Sequence, residues 1–166
     1  MKKIMFLMLL LPTVSFANNN DIGVHYTSWD LDNCCTVDGF GVDYSGLAGD
    51  NNFLIDFSYE RISESGVDLN FNIATLAYAF GNANEGAFNL GMTRFAGEGE
   101  SESDVMVGYG RRGGEGADYQ VGLINTEDDA TFVLSLRGQS GIKFTLYSSD
   151  GDNLMNLGYT WRLKNK

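Results

Sequence analysis

The sequence predicts an all-β protein, an antiparallel up-and-down barrel of about ten strands, with eight as the alternative count. Three observations carry this. Segments in which apolar and polar residues alternate succeed one another from Ile22 to Leu163, and no helical period interrupts them. Turn-forming runs such as AGDNN, SESG, GNANEG, RGGEGA, TEDDA, GQSG and SSDGDN separate the segments. The one proline is Pro12, so every later backbone N–H is available to a strand ladder.

The chain opens with Lys2-Lys3, the apolar run Ile4 to Leu11 and the small-residue pattern Ser15-Phe16-Ala17, which reads as a secretory signal over residues 1–17. The run falls short of the roughly 20 apolar residues a spanning helix needs. No Cys follows the expected cleavage site, which argues against a lipoprotein. Residues 18–166 then suit a single domain. The first strand carries Ile22, Val24 and Tyr26, the second Phe40, Val42 and Tyr44, and the third Phe53, Ile55, Phe57 and Tyr59. In the fourth, Leu69, Phe71 and Ile73 give way to Leu76, Tyr78 and Phe80, a change of phase that predicts a bulge near Ala74-Thr75. The remaining strands are marked by Phe88-Leu90-Met92, Val105-Val107-Tyr109, Tyr119-Val121-Leu123, Phe132-Leu134-Leu136, Ile142-Phe144-Leu146 and Leu157-Tyr159-Trp161-Leu163.

Alternation alone leaves open which face is inside. A soluble sandwich or ligand-carrying barrel turns its apolar face inward, whereas a transmembrane barrel turns it to lipid. Arginine placement favours the second arrangement. Arg61, Arg94 and Arg111 share the parity of the apolar residues, and each lies at or near a strand end, where a lipid-facing Arg costs little. The opposite face carries Gly, Asn, Ser and a few charges, among them Asp43, Asp56, Arg137, Lys143 and Arg162. These are expected to pair across the lumen as a plug or to line a narrow pore.

Charge supplies a second test. Removing Lys2 and Lys3 takes the formal net charge from −11 to −13, which excludes nucleic acid as a partner held by a basic patch. Taking alternate connections from the first, one rim holds 13 acids and 1 base, and the other, with the C-terminal tail, holds 4 acids and 6 bases. A wrong strand count would scramble that segregation. With both termini in the periplasm, the acidic rim faces outward.

The last strand, Asn156-Leu-Gly-Tyr-Thr-Trp-Arg-Leu163, is two-faced over its whole length although chain ends usually fray. Asn156, Gly158, Trp161 and Leu163 resemble the C-terminal assembly signal of bacterial outer-membrane β-barrels. In that signal a polar residue is followed by Gly two positions on and by hydrophobic residues five and seven on. The resemblance implies a small outer-membrane barrel of a Gram-negative cell, with outer-membrane lipid and the barrel-assembly machinery as partners and the terminal strand closing on the first. Oligomeric state stays open.

Chemistry-bearing residues are few. His25 is the only histidine and has lumenal parity; Thr27, Asp43 and Ser58 are its candidate partners if the barrel is a hydrolase or acyltransferase. No cofactor is expected, beyond divalent cations gathered at acidic connections such as Glu98, Glu100, Glu102 and Asp104. Cys34 and Cys35 are adjacent and cannot cross-link distant parts of the fold, which leaves a vicinal disulfide, an interchain pair or an incidental loop pair. The run Gly108 to Gly114 has the glycines of a phosphate cradle but no helix pattern after it. Three functional classes therefore remain: a structural, interaction or porin-like narrow-pore outer-membrane barrel, an outer-membrane enzyme using His25, and a soluble exported binding protein.

Overall fold

The computed structural model describes residues 19–32, 35–48, 52–64, 67–97, 99–114, 116–126 and 129–164, so the expected leader lies outside it. Ten strands follow in order: β1 (Asn19–Asp30), β2 (Thr36–Ala48), β3 (Phe53–Glu64), β4 (Val67–Phe80), β5 (Ala87–Gly97), β6 (Glu100–Arg111), β7 (Asp118–Asn125), β8 (Ala130–Arg137), β9 (Ile142–Ser149) and β10 (Asp152–Lys164). Each pairs antiparallel with its sequence neighbours, and β10 pairs with β1, so the sheet is a closed barrel. The count is ten rather than eight.

Closure explains the regular C-terminal strand. β10 runs beside β1 from Asn19 opposite Lys164 to Asp30 opposite Asn153, and beside β9 from Tyr159 opposite Ile142 to Asp152 opposite Ser149. With both edges paired, no row of backbone donors and acceptors is left open, a necessity where water is absent.

The apolar face is outside. Phe40 is 72% exposed, Phe88 69%, Leu76 58% and Leu157 57%, and the exposed large hydrophobics recur on every strand. The soluble alternative, with apolar residues turned inward, is not the arrangement adopted. Aromatic rings concentrate on this wall near the basic rim. Phe53, Tyr78 and Phe80 meet edge to face at 5.3 and 5.2 Å, Phe88 meets Tyr109 at 5.1 Å, and Tyr159 meets Trp161 at 5.1 Å. Aromatic residues gathered toward one rim of an apolar wall match the aromatic girdle of a transmembrane barrel.

The expected bulge in β4 is absent. Pairing with β3 is unbroken from Phe53 opposite Tyr78 to Glu64 opposite Val67, and pairing with β5 from Phe71 opposite Gly97 to Phe80 opposite Phe88. The strand keeps its phase, and Phe71 and Ile73 point inward with Thr75, Ala77 and Ala79. The interior buries apolar residues at both ends, Ile62, Ile73, Val133 and Leu154 toward the acidic rim and Leu47, Leu54, Ala77 and Ala79 toward the basic one, so apolar residues at inward parity are satisfied without any kink.

Candidate functional site

The lumen is built from residues that alternation sends inward from strands far apart in the ring. At its centre the two ring nitrogens of His25 face different carboxylates. Nδ1 lies 3.1 Å from Asp43 Oδ1, and Nε2 lies 2.9 and 2.8 Å from the two oxygens of Glu60. Glu60 is fully buried. It also accepts hydrogen bonds from Thr27 Oγ1 at 2.6 Å and from Asn156 Nδ2 at 3.2 Å. Lys143 Nζ reaches across from β9 to donate to Asp43 Oδ2 at 2.9 Å. Glycines make this crowding feasible: a Cβ at Gly41 would overlap His25 Nε2 and Glu60 Oε2, and one at Gly23 would lie 2.7 Å from Asp43 Oδ1.

A second layer lies toward the basic rim. Arg162 donates to both oxygens of Asp21, at 3.1 and 3.2 Å, and to Asp118 Oδ2. Arg137 Nε donates to Thr160 Oγ1 at 2.6 Å, and its other nitrogens lie 3.6 Å from Asp21 and 3.8 Å from Asp118. Arg112 pairs with Asp56 and donates to Gln120 Oε1 at 2.7 Å. Its own backbone N–H donates to Ala83 O at 2.8 Å, which ties the β6–β7 connection to the β4–β5 turn and turns the guanidinium back into the barrel. Lys143 to Asp43, Asn156 to Glu60 and Arg162 to Asp118 each bridge strands with two others between them, and Arg112, just past the end of β6, reaches Asp56 on β3, so these links are chords across the lumen. Three small spaces among them measure about 20, 50 and 30 Å³.

Toward the acidic rim the lumen opens into a cup of about 580 Å³. Trp29, Phe71, Phe95 and Tyr147 contribute aromatic surface. Glu100, Glu102 and Asp152 stand among its lining residues.

All five lumenal charges named from the sequence are thus drawn into the cross-lumen network. Of the candidate partners of His25, Asp43 lies beside its Nδ1. Thr27 instead donates to Glu60, and among the described residues the Ser58 hydroxyl has no hydrogen-bond partner and no hydroxyl is paired with the histidine. Glu60, Arg112, Asp21 and Asp118 complete the network and are not among the residues singled out in the sequence. The inward parity Glu60 shares with Asp56 and Ser58 was the available signal. Of the assembly-signal residues, Asn156 and Gly158 face the His25 cluster, and a Cβ at Gly158 would overlap Val24 O; Trp161 and Leu163 face outward. Among the acidic candidates, Glu98 lies outside the described residues, Glu100 and Glu102 are exposed, and Asp104 is buried. Among the described residues no group of His, Cys, Asp and Glu is arranged to hold a metal ion. Cys35 is disulfide-bonded, while Cys34 lies outside the described residues.

A closed ten-strand meander with an apolar outer wall, aromatic rings toward one rim and a charge-paired interior is the architecture of a transmembrane β-barrel. No family model and no curated protein matches the chain. Among solved structures it is similar to Neisserial surface protein A, at 12% identity and a TM-score of 0.37 over 89% of this chain and 96% of that one. It is also similar to Ail, the attachment invasion locus protein of Yersinia pestis, at 15% identity and a TM-score of 0.33 over 89% of this chain and 99% of that one.

Proposed function

We propose that this protein is a closed, non-conducting barrel of the outer membrane. Its role is structural and interactive, with the acidic rim outward and the basic, aromatic-girdled rim toward the periplasm. One observation carries the reading: ion pairs and hydrogen bonds span the lumen in successive layers, with spaces of about 20 to 50 Å³ among them. Such spaces hold a water or two and give no continuous path for a hydrated ion. The two carboxylates about His25 support a part for it in this plug, since both ring nitrogens are engaged there. Outer-membrane lipid is then the partner of the apolar wall. The barrel-assembly machinery is the partner of the β10 motif during insertion.

Planar-bilayer recording of the refolded barrel tests this. A membrane that shows insertion by an independent assay but no unitary currents is the expected result. Stable current steps from the unmodified protein would replace the closed reading with a narrow pore.

A further inference from the structure

We propose that the cup at the acidic mouth is a binding site for a small amphipathic organic cation, an alkyl- or arylammonium. The site goes beyond the closed-barrel reading and rests on it only for its floor. Tyr147 is that floor: it lines the cup and also two of the small spaces beneath it, so its ring separates the cup from the polar lumen. Phe95 meets Tyr147 edge-on at 6.3 Å, and Trp29 meets Phe71 edge-on at 5.4 Å, giving two pairs of rings around one cavity. The volume of about 580 Å³ lies in the range of small-molecule sites.

Aromatic walls by themselves would accept any apolar body, and the lip is what selects charge. Glu100 and Glu102, at inward parity on β6, and Asp152, at the start of β10, line the same cavity. Asp152 Oδ1 is engaged by the Asp32 backbone N–H at 2.6 Å, which fixes its carboxylate there. The nearby base Arg94 lies on the outer face and donates to Ser101 Oγ at 2.9 Å. A cation entering the cup therefore meets both carboxylates and aromatic rings, the combination that recognises ammonium groups in aromatic cages. An anion meets only repulsion at the lip, and a neutral chain gains the walls alone.

The test is isothermal titration of the full barrel, folded in a maltoside detergent, with hexyltrimethylammonium, hexanol and hexanesulfonate, each corrected for its heat with empty micelles. Saturable one-to-one binding of the cation, about tenfold tighter than the alcohol, with none of the sulfonate, is expected. The double variant Glu100→Gln, Glu102→Gln alters only exposed side chains and should bring the cation to the level of the alcohol. Phe71→Leu, checked for folding by heat-modifiable migration, should weaken the cation more than the alcohol. Equal binding of the three probes, no saturable heat from the cation, or a cation affinity untouched by the double variant would overturn the proposal. A barrel that conducts yet binds the cation selectively would retire the closed lumen and leave this site standing.

Discussion

Replacing Glu60 with Ala removes the acceptor on which three donors converge. Thr27 Oγ1, His25 Nε2 and Asn156 Nδ2 lie 2.6, 2.8 and 3.2 Å from its oxygens, and the carboxylate is wholly shielded. A buried donor left without a partner costs about 1–3 kcal/mol, and breaking a buried ionic pair from one side about 3–5 kcal/mol, so the loss should be near 4 kcal/mol. Glu60→Gln keeps the shape and one oxygen acceptor, and should lose roughly half as much. Equilibrium unfolding by urea in lipid vesicles, followed by tryptophan fluorescence and by the shift of the folded band, measures both variants against the parent. A Glu60→Ala barrel within about 1 kcal/mol of the parent would refute the idea that this cluster holds the lumen together, because a solvated interior would let water replace the lost acceptor.

Other expectations follow from the same geometry. Val24→Arg places a cation among Ile22, Tyr26, Val42 and Tyr159 on the outer wall and should destabilise the barrel by about 2–4 kcal/mol in vesicles, whereas Ser28→Arg nearer the acidic rim should cost about 0–1 kcal/mol. Gly158→Val should impair folding, read as a loss of the heat-modifiable form, because the added side chain meets Val24 O and His25. Ser149 Oγ donates to Asp129 at 2.8 Å and holds that carboxyl below the usual aspartate range. This contribution is present above the unfolded-state pKa and is lost as pH falls through the lower folded value. Amide exchange at Ala130 should therefore quicken only in strong acid, and Ser149→Ala should move that onset upward.

Much of this architecture is legible in the chain because a β-barrel writes its two environments at period two. Ile22, Val24 and Tyr26 against His25 and Thr27 state the faces of β1 without any tertiary information, and the charge split between alternate connections states the strand parity. The β4 phase change misleads because it assumes one face stays polar. Phe71 and Ile73 point into an interior that buries apolar residues beside polar ones, so apolar residues at inward parity mimic the change of phase that an inserted residue would produce. The partners within the lumen are not legible, since they depend on the stagger that closure imposes. Asn156 and Glu60 are 96 residues apart, and only the registers of β10, β1, β2 and β3 together bring them into contact. Arg112 is hidden for another reason. It belongs to a connection, and the hydrogen bond from its N–H to Ala83 O, which no spacing announces, turns the side chain back into the barrel.

The central claim, that hydrocarbon covers the outer wall while the lumen and cup stay apart from it, is met most directly by the two tryptophans. Trp161 stands on the outer wall and Trp29 lines the cup. In vesicles of lipid brominated on the acyl chains, a Trp29→Phe barrel should lose most of its remaining fluorescence, and a Trp161→Phe barrel should keep most of it. Equal quenching of the two, or a bright Trp161 beside a quenched Trp29, would contradict the arrangement of faces on which every other inference stands.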